Sequence, residues 1–456
     1  MKTHFKNLFL LLPLLAWTGS AFAQVPVTPL LNTFTNPTPA NGDFFGTAVA
    51  AMGSDRVLIG TYFGGAAYLL STSGALLTTF TVSDPAAGQF GATLAAVGND
   101  RVLIGAFSYA AGVPLAQNGR AYLFSTNGAL LTTFTNPSPT RVQAFGISVA
   151  ALGSDRVLIG GPADPNIGVP YLGAVYLFRT NGTLLTACTN PTPAIHGGFG
   201  QQVAAVGSDR VLVGAAQADT GATQAGVAYL FGTNGTLLNT FTNPTPAAGD
   251  AFGYAVAAVG SDRVIIGALG AAEAYLFSLN GTLLTTFTNP TSVASDFFGE
   301  SVAAVGSTRV LIGAFQDSTG DYQSGSAYLF STNGTLLNTF TNPTPTFQDF
   351  FGSPVAALGN DRVLIGAISD NTGATDSGAA YLFDLPYPLL SIARNAATVS
   401  LKWVTPETGL ILQQAGVLGA STAWSNTSDS VSVNGLTNVV QQTMVSTNRF
   451  YRLHRP

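Results

Sequence analysis

The chain has 456 residues, only 9% of them charged, and a formal net charge of −5. With Gly 52 and Pro 24 it is rich in turns. Beyond Lys6 the only lysine is Lys402, so no basic face exists to neutralise phosphates, and nucleic acid is excluded as a partner.

The first residues pair a basic start, Met1 to Lys6, with an apolar run from Leu8 to Trp17 and the small-residue ending Ser20-Ala21-Phe22-Ala23. That pattern predicts a secretory signal peptide over 1–23 and an exported chain that starts at Gln24. Losing Lys2 and Lys6 with it leaves a charge of −7. The apolar run is shorter than the ~20 residues a membrane helix needs. Cys188 is the only cysteine, so no internal disulfide can form. It stands where other repeats carry Phe80, Phe134, Phe241, Phe287 and Phe340, which predicts a buried apolar substitute.

The rest of the chain is repetitive up to about residue 386. Phe-Gly recurs at Phe45, Phe90, Phe145, Phe199, Phe252, Phe298 and Phe351, every 45 to 55 residues. An Ala/Val segment follows each copy, then Gly-Ser/Asn-Asp-Arg-Val-Leu-Ile-Gly, as at Gly53 to Gly60 and Gly98 to Gly105. A variable loop then leads to Ala-Tyr-Leu-Phe, an Asn-Gly turn, Leu-Leu-Thr-Thr-Phe-Thr and an Asn-Pro-Thr-Pro linker. Four short β-prone segments joined by turn chemistry predict one four-stranded antiparallel sheet per repeat. Runs such as Val102 to Ile104 are continuously apolar, as suits strands covered on both faces.

After the seventh Ala-Tyr-Leu-Phe, Ala380 to Phe383, the fourth segment is missing, while a spare copy, Leu30 to Thr35, precedes the first Phe-Gly. The N-terminal strand is therefore expected to complete the last sheet and close a ring. The reading is an all-β chain with a seven-bladed β-propeller over 24–386. An outer-membrane barrel is rejected, because its strands need about 9 to 11 residues and these have about five. The tail, 387–456, leaves the repeat and carries Trp403, Trp424 and β-prone runs such as Thr398 to Val404, which predicts a small β-sandwich-like module.

Phe-Gly-x-x-Val-Ala, Val-Leu-Ile-Gly-Ala and Gly-x-Ala-Tyr-Leu-Phe together resemble the FG-GAP repeat of integrin α-subunit propellers and of many bacterial secreted proteins, over residues 30 to 384. The resemblance implies protein or carbohydrate recognition at a cell surface. Many FG-GAP repeats carry an Asp-x-Asp-x-Asp-Gly calcium loop between their first two strands. Here that place holds one carboxylate per repeat, too few for a cation that takes six to eight oxygens, so the chain looks like a short, calcium-loop-free variant. Asp55, Asp100, Asp155, Asp209, Asp262 and Asp361 are read as turn formers with a solvated Arg beside each. Thr308 takes the sixth copy's place, so the Asp is dispensable.

Catalytic signatures are absent: there is no His-Glu-x-x-His, Gly-x-Ser-x-Gly, phosphate-binding Gly-Lys-Ser/Thr or zinc-type Cys pair. His196 falls in a linker and reads as a surface histidine. What breaks the symmetry is the connection between the second and third strands, which shares one face with the inter-repeat linkers. That face is expected to carry the ligand, with Asp164, Asp219, Asp317, Asp321, Asp370, Asp376, Tyr109, Tyr171 and Tyr322 as its candidate residues. Asp219-Thr-Gly, Asp317-Ser-Thr-Gly and Asp370-Asn-Thr-Gly read as one shared loop pattern, either turn-building or a weak cation or sugar site. The Asn-Gly-Thr sequons at Asn181, Asn234, Asn280 and Asn333 read as hairpin turns. The expected function is a secreted, monomeric, non-enzymatic recognition or adhesion scaffold for a protein or carbohydrate. No cofactor is expected, with calcium the one open alternative. A carbohydrate lyase or hydrolase using carboxylates on the same face, or a purely structural surface protein, are the competing readings.

Overall fold

The structure is a computed structural model that describes residues 29–84, 88–107, 119–138, 144–161, 173–192 and 197–385, with the strands of a C-terminal region between 391 and 454. The signal segment lies outside the described residues, and no helix among those described is long and apolar enough to cross a membrane.

Each Phe-Gly repeat forms a four-stranded antiparallel blade. Blade 1 runs Ala48–Met52, Arg56–Gly60, Ala67–Ser71 and Leu76–Phe80 from the axis outward, and blades 2 to 6 repeat that order. Blade 7 takes Phe351–Leu358, Arg362–Ala367 and Ala379–Asp384 from the end of the array and Leu30–Thr35 from its beginning. In that last pairing Thr33 lies opposite Tyr381 and Phe34 opposite Ala380. The innermost strand of every blade lies against that of the next, and the seventh against the first, so the ring closes as the displaced strand copy predicts.

The core is divided among the blade junctions. Seven apolar clusters each join two neighbouring blades, the seventh running from Leu358, Leu364 and Leu382 to Phe45, Val57 and Ile59. In the second strand of blade 1, Val57 and Ile59 face blade 7 while Leu58 faces blade 2. Alternating side chains enter two different cores, which is why the strand reads as unbroken apolar sequence. Between blades, the fourth-strand phenylalanine of blades 1, 2, 4, 5 and 6 packs on a third-strand ring of the next blade, as Phe80 does on Phe124 and Phe287 on Phe330, with centroids 5.4 Å apart. Cys188 fills that slot in blade 3. It is free and buried, and burial pushes its thiol up to about 11, so it stays protonated at neutral pH.

Three features recur around the ring, the first two at all seven junctions and the third at six of them. First, the glycine of Val-Leu-Ile-Gly lies so close to the next Phe-Gly that a Cβ on Gly60, Gly105, Gly160, Gly214, Gly267, Gly313 or Gly366 would sit 1.9 to 2.4 Å from the neighbouring glycine carbonyl. Second, the arginine of each Gly-Ser/Asn-Asp-Arg turn donates to a turn carbonyl of the next blade. Arg56 reaches Asn99 at 2.8 Å, Arg101 reaches Ser154 at 2.7 Å, and Arg362 reaches Ser54 at 2.5 Å to close the circle. The arginines are therefore clamps between blades, which corrects the expectation of a solvated side chain. The neighbouring Asp is the exposed partner, 3.2 to 4.0 Å from its own arginine. Arg309 keeps its bond to Asn360 with Thr308 beside it, so the motif's constant is the arginine.

Third, a Thr or Asn of the outer strand donates to the hairpin carbonyl of the next blade, as in Thr78 to Thr126 at 2.6 Å, Asn239 to Leu279 at 3.1 Å and Asn32 to Thr72 at 3.4 Å. Asn338 stands at the same place in blade 6, and its enclosed Nδ2 has no acceptor. Blade 7 has no hairpin there, because its outer strand arrives from the other end of the chain.

The repeat ends at a compact unit, Thr28–Leu385, and Pro386–Pro456 belongs to a second. The second unit holds a four-stranded sheet, containing Ser391–Asn395, Thr398–Val404, Ser432–Asn434 and Thr437–Thr443, and a three-stranded one. Leu401 and Val440 of the first sheet pack with Leu412 of the second, which makes a small β-sandwich-like module as expected.

Candidate ligand-binding face

The Arg turns and Asn-Gly hairpins lie on one face of the ring, and the linkers and long loops on the other. On the loop face the Asn-Pro-Thr-Pro linkers are built from inside. Asn36, Asn243, Asn289 and Asn342 each accept the N–H two residues on, and each donates to the Asp seven residues on, at 2.7 to 3.0 Å. Asp43, Asp250, Asp296 and Asp349 are therefore linker clamps, three of them buried.

A second tier of carboxylates takes the third-strand tyrosines. Tyr328 donates to Asp317, Tyr381 to Asp370 at 2.5 Å, Tyr275 to Glu273, and Tyr122 to Asp84 at 2.7 Å, where Arg120 also binds at 2.8 Å. Burial first, and then the neighbouring carboxylate, holds the phenols of Tyr122, Tyr275, Tyr328 and Tyr381 above the usual tyrosine range. Asp317 and Asp370 are only 1% and 3% exposed, and their second oxygens accept Thr319 N–H at 2.7 Å and Thr372 N–H at 2.8 Å. The structure thus makes these two candidates builders of their loops.

The shared Asp-Thr-Gly pattern also divides. Gly325 N–H bonds the carbonyl of Asp317 and Gly378 N–H that of Asp370, but in blade 4 the same bond from Gly226 goes to Ala218. Asp219 is therefore one residue out of step. It is exposed and accepts the N–H of Gln224 at 2.8 Å. Asp321 is exposed, its Oδ1 accepting the Tyr322 N–H at 2.7 Å, and Asp376 holds a left-handed backbone at φ 51. Asp164, Tyr109 and Tyr171, with His196, lie outside the described residues.

Among the described residues, two exposed aromatic groups stand on this face. Tyr322 and Phe347, 53% and 60% exposed, stack with centroids 5.3 Å apart and planes 20° apart. Beneath them Gln348 donates to Gln323 at 2.9 Å, and Gln323 to Gln316 at 3.0 Å. A cavity of about 350 Å³ opens between the linker at Thr291 to Asp296 and the loop at Gln316 to Gln323. A second exposed aromatic group lies on blade 1, where Phe63 meets Tyr62 at 4.6 Å and Phe44 at 5.9 Å. Among the described residues, no group of three or more His, Cys, Asp or Glu is placed to hold a metal ion.

One acidic residue escapes the sequence reading. The position after Phe-Gly reads Thr47, Ala92, Ile147, Gln201, Tyr254, Glu300 and Ser353, and only the sixth is charged. Ser353 of the next blade donates to Glu300 Oε1 at 3.0 Å, while Oε2 is enclosed and unpartnered. Burial pushes this carboxyl up to about 7, against the pull of its Ser353 and Ser301 hydrogen bonds, and the hydroxyl of Tyr254 is pushed up to about 12, by burial and then by Glu300. The unfolded chain ionises this group near 4.5 while the native chain keeps its proton to about 7, so the native state is favoured at low pH and loses that advantage as pH rises between the two. Glu300→Gln is expected to raise stability at pH 8 by up to about 3 kcal/mol and to leave it unchanged at pH 4. Denaturant melts of both proteins from pH 4 to 8 check this, and parallel pH profiles would refute it.

Comparison with known proteins agrees with this architecture. The FG-GAP repeat family model matches residues 286–330 and 341–383. No curated protein matches the chain. Among solved structures, the β-propeller domain of Myceliophteria thermophila Cps50 (Swd1) superposes with a TM-score of 0.51 at 9% identity, covering 79% of this chain and 100% of that one. A protein of unknown function from Bacteroides caccae gives a TM-score of 0.40 at 10% identity, covering 63% and 94%. Seven Phe-Gly repeats each fold as one blade of a closed seven-bladed β-propeller, and the last two of them match the FG-GAP repeat family model.

Proposed function

We propose that the protein is an exported recognition scaffold that binds a protein or carbohydrate ligand through the loop face of its propeller. One observation carries the reading. The blades repeat nearly residue for residue, whereas the loop face differs from blade to blade and holds the exposed aromatics Phe63, Tyr322 and Phe347. A rigid ring that presents unlike loops on one side is a common way to build a binding surface. The signal-like start, the low charge and the FG-GAP repeats favour work outside the cell.

Capture of the mature protein on arrays of glycans and of purified extracellular proteins tests this. Phe63→Ala with Phe347→Ala is expected to weaken capture at least ~5-fold with an unchanged melt, while Asp155→Ala on the opposite face leaves it intact. Capture that depends on the Asp155 face and ignores both aromatics would overturn the assignment.

A further inference from the structure

The cavity between blades 5 and 6 has a lining that selects among ligand chemistries. Its lining mixes hydroxyls and amides, from Thr291, Ser295, Gln316, Ser318 and Gln323, with the apolar Val293 and the ring of Tyr322. No Lys, Arg or His is among the lining residues, so a phosphate or carboxylate would find no counter-charge. Asp296 and Asp317 are also among the lining residues, both buried and both engaged in hydrogen bonds. Asp296 Oδ2 accepts Asn289 at 3.0 Å and the Thr291 hydroxyl, and Asp317 accepts Tyr328 and the Thr319 N–H. Two carboxylates with no cation beside them repel anions.

The rim is held in place. Gln323 and Gln348 both have left-handed backbones, at φ 52 and φ 60. Their amides form the chain Gln348 to Gln323 to Gln316, which runs from below the Tyr322–Phe347 stack into the cavity wall. A left-handed conformation is costly for side-chain-bearing residues and persists where the surroundings enforce it. The result is a flat aromatic face beside a row of paired donors and acceptors. The volume, about 350 Å³, falls within the roughly 300–1,000 Å³ of small-ligand sites.

We infer that this cavity is a subsite for a neutral glycan, an inference that rests on the recognition reading of the loop face. A sugar ring stacks its C–H face on Tyr322, and its hydroxyls exchange hydrogen bonds with Gln316, Gln323 and Ser318. Selection against acidic sugars follows from the missing cation and the two lining carboxylates.

Titration calorimetry of the mature protein with neutral hexamers (cellohexaose, xylohexaose, mannohexaose) and with one acidic hexamer, hexagalacturonate, tests the inference. At least one neutral hexamer is expected to bind, and hexagalacturonate is not. Tyr322→Ala and Gln316→Ala should each weaken the bound hexamer at least ~10-fold with unchanged melts, whereas Phe63→Ala on blade 1 should not. Neutral binding that ignores Tyr322 and Gln316 but needs Phe63 refutes this subsite and leaves the loop-face reading standing. Preference for hexagalacturonate refutes the neutral chemistry. Binding of none of the four, with capture of an extracellular protein through the loop face, refutes the glycan and keeps the recognition role.

Discussion

A chain that begins at Asn36 is expected to fail to close its ring. It loses the outer strand of blade 7, Leu30–Thr35, and with it Phe34, which is buried against Phe45 and Leu382 at the junction of blades 7 and 1. Removing one such ring from a core costs about 3–5 kcal/mol. The truncation also bares the third strand, Ala379–Asp384, as an unpaired edge along Tyr381 and Leu382. The combined loss should exceed ~5 kcal/mol and appear as aggregation or as a melt far below that of the intact protein. A permuted chain that starts at Pro37 and carries Thr-Asn-Gly-Thr-Leu-Leu-Asn-Thr-Phe-Thr after Asp384 should recover the cooperative melt. It would also supply the hairpin whose carbonyl Asn338 lacks. If the truncated chain melts like the intact one, strand exchange does not hold the ring.

Gly214→Ala should cost about 4 kcal/mol, unusually much for one methyl group. The new Cβ would lie 2.0 Å from the carbonyl oxygen of Gly253, and both are backbone of packed inner strands, so neither blade can yield without moving the other. Gly65→Ala is the control. That glycine sits at φ +62 with nothing within 4 Å of a new Cβ, so the methyl group meets only backbone strain, about 1 kcal/mol. Chemical denaturation of both variants separates the effects. Equal losses would mean that the approach between blades does not explain the repeated glycine, since Gly214 itself has no left-handed backbone to relieve.

The fold was legible because its information is local and repeated. Each strand, each turn and the displaced copy at Leu30 to Thr35 can be read along the chain, and closure follows from counting. The bonds between blades were not legible. Arg101 donates to Ser154, 53 positions away, and nothing near Arg101 marks a carbonyl as its acceptor. For the same reason the arginine reads as solvated until the next blade is set beside it.

On the loop face, residue type was a weaker guide than register. Asp219, Asp317 and Asp370 share a pattern in sequence, yet the bond from the following Gly-x strand start assigns Ala218, not Asp219, to the place of the other two. Which carboxylates are exposed depends on that shift of one residue. Tyr322 could be found because a long loop carried it, and its partner Phe347 comes from a different linker. Glu300 did have a signal, a single charge in a column of seven otherwise uncharged residues. It becomes visible once the repeats are compared position by position and not as whole motifs.

The bonds that join the blades also have a direction. Arginine clamps, Thr and Asn donors and glycine contacts all run from one blade to the next in chain order, whereas the bond from Ser353 to Glu300 runs back. Each blade thus carries a plug on one side and a socket on the other, the same pair throughout. An in-frame gain or loss of one whole repeat would leave every plug facing an equivalent socket. Blade number in this architecture is therefore a question of the angle at which wedges fill a circle. A lineage of such chains could change circumference by unequal copying of one gene segment, with no new interface to invent.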